Sequence, residues 1–295
     1  MRAPRLLVTV AAICAVAGTG LAADEMRAVF QKAQELMRQE QFAAAVPLLE
    51  KCVAAEQGNS KFHQWLGRAV GLQAAQSGIV SGALSVRRVK AELEKAIELD
   101  PLNLEARQDL AIMYRAVPGF LGGSSAKADE QIRFIRRNDP ALAAQLEGDF
   151  LYADKKYDSA LSAYRESAQL HPRPMIEVRI SLAHQQKKEW NEAFAALDRA
   201  LVLDPTYAFA LYQVGRTAAL SGEQLDRGEK SLRTYIALPV REDLESPSIA
   251  AAHFRLGNIR EKKGDSAEAR REYETALKID TKQKLAREAL AKLKG

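Results

Sequence analysis

The sequence has few cysteines, few aromatic residues and no apolar run long enough to span a membrane. Each of these shortages limits the classes of protein to which the chain can belong. Of its two cysteines, Cys14 lies in the N-terminal segment considered next, so Cys52 has no partner for an internal disulfide once that segment is removed. Aromatic residues make up only 6% of the chain, whereas Ala, Leu, Glu, Arg and Lys are abundant. Because these residues lose little side-chain freedom on entering a helix, the composition favours an all-helical protein.

The N-terminal segment has the pattern of a secretory signal peptide. Two arginines precede an uncharged, mostly apolar stretch over 6–20, and Ala22 follows at a position that favours cleavage. We therefore expect a signal peptide at 1–22, cut after Ala22 or Ala23, and a mature chain over 23–295 without a transmembrane segment. The alternative is an uncleaved membrane anchor, but the stretch of about 15 residues is shorter than the ~20 that span a bilayer.

The charge balance is weak and does not indicate a nucleic-acid partner. The formal net charge is +5, and it falls to +3 without the two arginines of the signal peptide. No long run of Lys or Arg is present. We interpret the positive balance as a solvated surface, because proteins that bind nucleic acids concentrate their basic residues in patches or stripes.

A helix-sized apolar pattern restarts along the chain at a period near 34 residues. Five of the units end on a proline, and these prolines are 39, 32, 33 and 34 residues apart. Self-similarity at this period predicts an array of helix pairs rather than a single closed core. Such an array presents a long surface and usually lacks a catalytic pocket, so the pattern favours binding over catalysis. The prolines are Pro101, Pro140, Pro172, Pro205 and Pro239.

The clearest unit is the last full one, in which residues 249–262 are apolar at helical spacing. Gly264 ends this helix, and Ser266 is placed to cap the next one. The small residue Gly257 allows the two helices to approach closely, and Tyr273 fills the gap between neighbouring units. The unit therefore predicts two antiparallel helices in close contact.

The pair Leu256-Gly257, followed by an Ala, by Tyr273 and, in most units, by a closing Pro, resembles the tetratricopeptide repeat. The resemblance implies an all-α, right-handed superhelical solenoid of about seven helix-turn-helix repeats. In the last unit Thr281 stands in place of the closing Pro. The expected repeats cover 26–57, 60–101, 104–140, 141–172, 174–205, 208–239 and 250–281, and a charged capping helix follows at 282–294.

Two units are longer than the repeat requires. Extra residues lie at 73–85 in the second unit and at 117–125 in the third, each between the two helices of its unit. Corresponding insertions in a solenoid emerge on the same edge, so we expect these two to be neighbours and to pack together. They form either a structural plug or a second binding surface. The apolar residues expected there are Ile79, Leu84, Phe120 and Leu121.

No residue pattern points to catalysis, a cofactor or a metal. The glycines near Gly119 lack the spacing of a phosphate-binding loop, and either Ser124 or Ser125 serves as a helix cap after them. None of the four histidines stands three or four residues from another histidine or from Cys52, which excludes the usual zinc spacing. We therefore predict a protein that is not an enzyme and that has no bound cofactor or metal.

The family resemblance also implies a binding groove, because the first helix of each unit lines the concave face of a tetratricopeptide array. Aromatic residues beside arginines suit an extended or helical peptide, with a carboxylate of the partner on Arg216 or Arg255. The alternative for Tyr212 and Phe254 is that they pack against the next helix. The family's clamp for a free C-terminus uses Lys and Asn at set positions, and only fragments of it occur here. The groove residues so implied are Arg179, Gln185, Phe209, Tyr212, Gln213, Arg216, Phe254, Arg255 and Asn258.

The repeats, the export signal and the missing active site predict a non-catalytic adaptor that binds a partner protein or peptide in its groove. Such a protein would lie in the periplasm of a Gram-negative envelope. One alternative is a structural subunit of an envelope assembly, which uses the convex face and the two insertions. Another is an accessory protein for a cell-wall or polysaccharide enzyme. The sequence leaves the identity of the partner and the oligomeric state open.

Overall fold

The structure, a computed structural model, describes residues 25–77, 79–238 and 247–293, and of 79–83 it describes the backbone alone. The expected signal peptide and the closing Pro239 lie outside these residues. The described part consists of helices, turns and loops, without a β-strand. The predicted all-α fold is therefore confirmed. None of the helices in these ranges combines the length and the apolar character needed to cross a membrane.

The chain divides into two compact units, and the division falls between Ile135 and Arg136. The first unit contains α1 (25–38), α2 (Phe42–Ala55), α3 (Ser60–Ser77), α4 (Ile79–Leu99), α5 (Leu104–Ala116), a 3₁₀ turn (Gly119–Leu121) and most of α6 (Ser125–Asn138). The second unit contains α7 (Pro140–Ala153), α8 (Tyr157–Leu170), α9 (Pro174–Lys187), α10 (Trp190–Leu203), α11 (Ala208–Ser221), α12 (Leu225–Ala237), α13 (Ile249–Lys262), α14 (Ser266–Ile279) and α15 (Lys284–Lys292).

Within each unit, successive helices pack as pairs. α3 contacts α4 in the first unit, and α7 with α8, α9 with α10, α11 with α12 and α13 with α14 form pairs in the second. Short connections make the two helices of a pair antiparallel. The first helices also contact one another from pair to pair: α3 contacts α5, and α11 contacts both α9 and α13. The first helices thus form one layer of each unit, and the second helices form another.

The turn between α13 and α14 shows how a helix end is specified locally. Gly264 has a φ of 81°, a left-handed conformation that glycine adopts without strain. Asp265, rather than the expected Ser266, is the N-cap of α14, and its side chain accepts a hydrogen bond from the Glu268 backbone N–H. Ser266 is instead the first helical residue. The cap falls one residue earlier because the Asp265 carboxylate reaches an unbonded amide of the first turn.

A glycine lies at the centre of the first helix in four of the described pairs, where the second helix crosses it most closely. A Cβ atom at Gly148 would lie 2.5 Å from Tyr164 Cδ1, a separation that real Cβ atoms do not show. The facing side chains are all buried. Each of these pairs therefore requires glycine at this position, because the side chain of the second helix occupies the space that a larger residue would need. The facing residues are Gly67 with Leu93, Gly148 with Tyr164, Gly215 with Leu232 and Gly257 with Tyr273.

The extra residues of the second repeat lengthen its helices rather than forming a loop. α3 has 18 residues and α4 has 21, whereas α7, α8 and α9 each have 14. The segment 73–77 continues α3, and 84–85 belongs to α4. The backbone of Ile79 begins α4, but its side chain lies outside the described residues.

The extra residues of the third repeat form a compact turn. Gly122 follows the 3₁₀ turn with a φ of 102°, and a Cβ atom at Gly123 would overlap the carbonyl oxygen of Val117. Both positions therefore require glycine. The hydroxyl of Ser124 then caps α6 by accepting a hydrogen bond from the Lys127 backbone N–H at 3.3 Å, which agrees with the expected cap.

Leu84 and Phe120, two of the apolar residues expected to pack between the insertions, are both exposed. Leu84 is 80% exposed and Phe120 is 88% exposed, and Leu121 is half-buried. The physical reason lies in the two shapes: one insertion extends α3 and α4 along their axes, whereas the other folds back on its own backbone.

Glu229 on α12 joins three cations at the contact between α12 and the end of α13. Its carboxylate accepts hydrogen bonds from Arg233 at 3.1 Å and from Lys263 at 2.8 Å, and Arg260 donates to the same group. Burial by itself raises the pKa of Glu229, but the hydrogen bonds from Lys263 and Arg233 and the charge of Arg260 outweigh burial and lower it. The cluster therefore stabilises the contact between successive helix pairs.

Gly257→Leu should destabilise the second unit, because the added side chain would overlap Tyr273 at the helix crossing. Overpacking of this kind costs about 1–3 kcal/mol. Urea unfolding followed by circular dichroism measures the loss. Gly58→Leu is the matched control, since nothing lies within 4 Å of a Cβ atom at that exposed position. Equal losses in the two variants would contradict the assigned crossing.

Glu229→Gln should lower the free energy of unfolding by about 1.5–3 kcal/mol at pH 7, because it removes a carboxylate that accepts charged hydrogen bonds. Since the folded-state pKa of Glu229 is lowered, its contribution is present above the unfolded-state value of about 4.3 and is lost as the pH falls through the folded-state value. Denaturation curves of wild type and variant should therefore differ at pH 7 and begin to converge as the pH falls below the unfolded-state value of about 4.3. A difference that does not change with pH would show that the charge is not its source.

Candidate functional site

Three neighbouring first helices of the second unit carry all nine residues of the expected groove. α11 contacts α9 and α13, so the three helices lie side by side. We call the surface formed by these nine residues the groove face. Its residues are Arg179 and Gln185 on α9, Phe209, Tyr212, Gln213 and Arg216 on α11, and Phe254, Arg255 and Asn258 on α13.

The aromatic residues of the groove face are mostly buried against other helices. Tyr212 is 5% exposed, and its ring packs against Tyr235 at a centroid distance of 5.5 Å. Phe254 is 8% exposed and lies 5.9 Å from the ring of Tyr273, while Phe209 is equally buried. The Tyr212 hydroxyl makes no hydrogen bond to a described residue. These rings therefore contribute packing, and the polar atoms among them form the accessible chemistry.

Arg216 is a half-buried arginine whose hydrogen bonds go to amides. Its Nη1 donates to Gln185 Oε1 and, over 3.5 Å, to Gln213 Oε1, and both glutamines are buried. Burial lowers the pKa of Arg216, and the charge of Arg255 lowers it further, although two nearby tyrosines act in the opposite direction. Because a guanidinium stays charged in proteins, Arg216 holds its charge in an environment that disfavours it.

Arg255 is a second half-buried arginine with few acceptors. Its Nη1 donates to Asn258 Oδ1 over 3.4 Å, and its Nε is buried without a hydrogen-bond partner. Its guanidinium lies 5.0 Å from the centre of the Phe254 ring. The Asn258 amide donates in turn to the hydroxyl of Tyr273 over 2.8 Å. Neither Arg216 nor Arg255 forms an ion pair with any described residue.

Arg179, at the other side of the groove face, has its charge balanced by a carboxylate. Its Nη1 lies 3.0 Å from Asp149 Oδ1, and the hydroxyl of Tyr164 donates to the same oxygen over 2.8 Å. Burial raises the pKa of Tyr164, and the charge of Asp149 adds to this effect. The three arginines of the groove face therefore differ: one is neutralised within the protein, and two are not.

The first unit contains a related contact that sequence reasoning missed. Arg68 on α3 lies 2.9 Å from the carboxylate of Asp109 on α5, and Gln64 donates to that carboxylate over 2.8 Å. The signal for this pair was available as a position in the repeat, since Arg68 follows Gly67 and Asp109 precedes Leu110. Asp149 was missed in the same way. The available signal was its position directly after Gly148, the central glycine of α7.

Outside the groove face, the one cysteine of the described ranges and three of the histidines are engaged in packing or in hydrogen bonds. Cys52 is fully buried, and burial and the charge of Glu56 raise the pKa of its thiol. His63, His184 and His253 each lie 2.6–2.7 Å from a glutamate oxygen. Within the described ranges, no group of three metal-ligating side chains is placed to hold a metal ion.

Comparison with known proteins agrees with this geometry. A sequence model described as "Tetratricopeptide repeat" matches residues 250–282, which cover α13 and α14. No match to a curated protein sequence was found. Among solved structures, the chain resembles Pseudomonas aeruginosa PilF with a TM-score of 0.52 and 17% identity, over 79% of this chain and 99% of PilF. It resembles PilW, described as a widely conserved type IV pilus biogenesis factor, with a TM-score of 0.56 and 18% identity, over 78% of this chain and 98% of PilW.

A third solved structure, human IFIT1, gives a TM-score of 0.60 at 16% identity, over 86% of this chain and 58% of IFIT1. At these identities the likenesses show the fold and not a shared ligand. The fold is that of a tetratricopeptide-repeat solenoid, and the last helix pair is a tetratricopeptide repeat by sequence as well. The chain therefore has the fold of the tetratricopeptide-repeat class, and the sequence match to that repeat covers residues 250–282.

Asp109→Asn should lower the free energy of unfolding by about 1.5–3 kcal/mol, because it removes the carboxylate that accepts from both Arg68 and Gln64. Among the described carboxylates, Arg68 then keeps only the 3.7 Å contact with the exposed Glu105. Arg216→Gln should cost at most about 1 kcal/mol, the size of a neutral hydrogen bond, because no carboxylate loses a partner and repulsion with Arg255 is relieved. Urea unfolding of the two variants beside wild type measures both effects. An equal loss in the two would show that Arg216 is as important for packing as Asp109.

Proposed function

We propose that this protein is a non-catalytic scaffold that binds a segment of a partner protein across the groove face. The observation that carries the proposal is the presence of two half-buried guanidiniums, Arg216 and Arg255, without a carboxylate among the described residues. A charge that is partly removed from water without an ion-pair partner is unfavourable. A ligand that supplies acceptors would remove this penalty, so the groove face is built to gain free energy on binding.

The other residues of the groove face support the same role. Gln185 and Gln213 present amide groups beside Arg216, and the Tyr212 hydroxyl has no hydrogen bond to a described residue. An extended peptide carries backbone donors and acceptors that such groups recognise. Because the rings of Phe209, Tyr212 and Phe254 are held by packing, the polar groups around them are presented on a rigid surface.

The proposal includes that the protein is not an enzyme and needs no cofactor or metal. It is supported by the burial of Cys52 and by the glutamate partners of the three histidines, which leave these residues occupied in packing. Turnover of a substrate by the purified mature protein, without any partner, would contradict this part of the proposal.

We also propose that residues 1–22 direct export and that the mature protein acts in the periplasm. The composition of this segment supports export. One structural neighbour, PilW, is described as a pilus biogenesis factor, which agrees with a location in the cell envelope.

The protein isolated from the periplasmic fraction of a Gram-negative host should begin at Ala23 or Asp24, because the apolar stretch is removed by cleavage after Ala22 or Ala23. N-terminal sequencing and intact mass measurement locate the first residue. A full-length chain recovered from the membrane fraction would support the uncleaved anchor instead.

The runner-up function is a structural subunit that assembles through the two insertions. The observation that favours it is the exposure of Leu84 and Phe120, which are 80% and 88% accessible to solvent in the first unit. Large apolar side chains in such positions are common at protein interfaces. In this case the groove face would not be needed for association.

Arg216→Glu should abolish the capture of a partner when the mature protein is crosslinked and purified from its native envelope, because it reverses one charge of the groove face. The double variant Leu84→Glu/Phe120→Glu should retain the partner. Circular dichroism must show that both variants fold. Arg216→Glu is a cleaner probe than Tyr212→Ala, since Tyr212 is buried against Tyr235.

The reverse outcome would decide for the runner-up. A partner that is retained by Arg216→Glu and lost from the double variant would contradict binding on the groove face and would support assembly through the insertions.

A further inference from the structure

Three pairs of residues on neighbouring first helices occupy the same two positions of the repeat, and two of these pairs are in direct contact. In each, the residue directly after the central glycine of one helix is matched with the residue directly before the central apolar residue of the next first helix. The first two are ion pairs, with N–O distances of 2.9 and 3.0 Å. The arginine follows the glycine in the first of them, and the aspartate follows it in the second. The matched residues are Arg68 with Asp109, Asp149 with Arg179, and Arg216 with Arg255.

The third pair differs from the other two because both positions hold an arginine. Arg216 and Arg255 are both half-buried and lie on α11 and α13, which contact each other. Burial lowers the pKa of Arg216, and the charge of Arg255 lowers it further. Comparison with the other two pairs therefore identifies what is missing between Arg216 and Arg255, which is a carboxylate.

A third donor lies at the equivalent place in both units. In the first unit Gln64, four residues before Arg68, donates to the Asp109 carboxylate over 2.8 Å. In the second unit Tyr212 stands four residues before Arg216, and its hydroxyl has no hydrogen bond to a described residue. Residues four apart lie on the same face of a helix. Arg216 and Tyr212 thus correspond to Arg68 and Gln64, the two residues that donate to Asp109. Arg255 stands at the position that Asp109 has in the first unit.

We propose that Arg216 and Arg255 form the binding site for one aspartate or glutamate side chain of the partner segment. This inference rests on the function proposed above and specifies its ligand. The incoming carboxylate supplies from the partner the acceptor that Asp109 supplies in the first unit, and it accepts hydrogen bonds from both guanidiniums. The Tyr212 hydroxyl donates as Gln64 does. Planar guanidinium groups match the geometry of a carboxylate, so the site distinguishes an acid from its amide.

The structure favours a side-chain carboxylate over a free C-terminus. Asp109 reaches Arg68 as a side chain from a neighbouring segment, so this position in the repeat accommodates an acid of that length. The Lys and Asn residues of the family's C-terminal clamp occur here only in fragments. The partner segment therefore crosses the site without ending at it.

The first experiment uses no ligand and tests whether a carboxylate is what the site between Arg216 and Arg255 lacks. Arg255→Asp should raise the melting temperature by about 2–4 °C, because it replaces repulsion with the ion pair seen between Arg68 and Asp109. Lys230→Asp is the control, since it makes the same change in net charge at an exposed position of α12, in the layer of second helices. A melting temperature that falls in Arg255→Asp would overturn the equivalence of the three pairs.

The ligand is then tested with random twelve-residue peptides displayed inside a loop of a carrier protein, so that no peptide has a free terminus. Selection on the full mature protein should enrich Asp or Glu at one fixed peptide position. Enriched peptides, synthesised with acetylated and amidated ends, should bind Arg255→Asp at least about tenfold more weakly than wild type and Lys230→Asp. The same peptides with Asn or Gln in place of the acid should lose about as much affinity for wild type.

The outcomes separate this inference from the function on which it rests. If no peptide is selected, the scaffold function itself is contradicted. If peptides are selected without a fixed acid, or bind Arg255→Asp as tightly as wild type, the carboxylate site is wrong and the scaffold function stands. If only a parallel library with free C-termini yields ligands, the source of the carboxylate is the chain terminus and the proposed side chain is wrong.

Discussion

The close crossing of two helices within each pair is the constraint on which the rest of the structure depends. At Gly67, Gly148, Gly215 and Gly257 the first helix has no side chain, and a large buried residue of the second helix occupies the space. This arrangement fixes how far each pair of helices can approach and which residues face each other. Because the crossing recurs at the same place in the repeat, successive first helices meet in the same register.

Because the register recurs, residues at the same position of the repeat occupy equivalent places on neighbouring first helices. The residue after the central glycine faces the residue before the next central apolar residue, and this contact carries an ion pair in α3 with α5 and in α7 with α9. In α11 and α13, which contact each other, the same two positions hold Arg216 and Arg255. The helix packing that forms the core therefore also determines which charged residues are neighbours on the surface. The two arginines are unfavourable within the protein alone, which is why they are informative about its ligand.

The helix pairs, their period and the glycine of the last crossing could be predicted from the sequence, because steric requirements act locally and repeat every unit. Tyr273 was expected between neighbouring units, but it packs on Gly257 within its own pair. The assignment of nine residues to α9, α11 and α13 followed from the same period. The insertion at 73–85 was expected between helices and instead extends α3 and α4, since nothing local ends a helix at Gln73. The cap of α14 was placed at Ser266 rather than Asp265, because both residues are good caps and only the backbone geometry distinguishes them.

The sequence by itself determined the helical class, the repeat length and the glycine positions, since these depend on side-chain size and backbone preference at each residue. Only the tertiary structure decided which charges neutralise one another. Asp149 lies 30 residues from Arg179 along the chain, and Asp109 lies 41 residues from Arg68, so the repeat positions mark candidates but only the packed helices show which residues pair. The burial of Tyr212 and the exposure of Phe120 were decided in the same way. Both depend on what neighbouring helices cover, and a linear pattern does not contain that information.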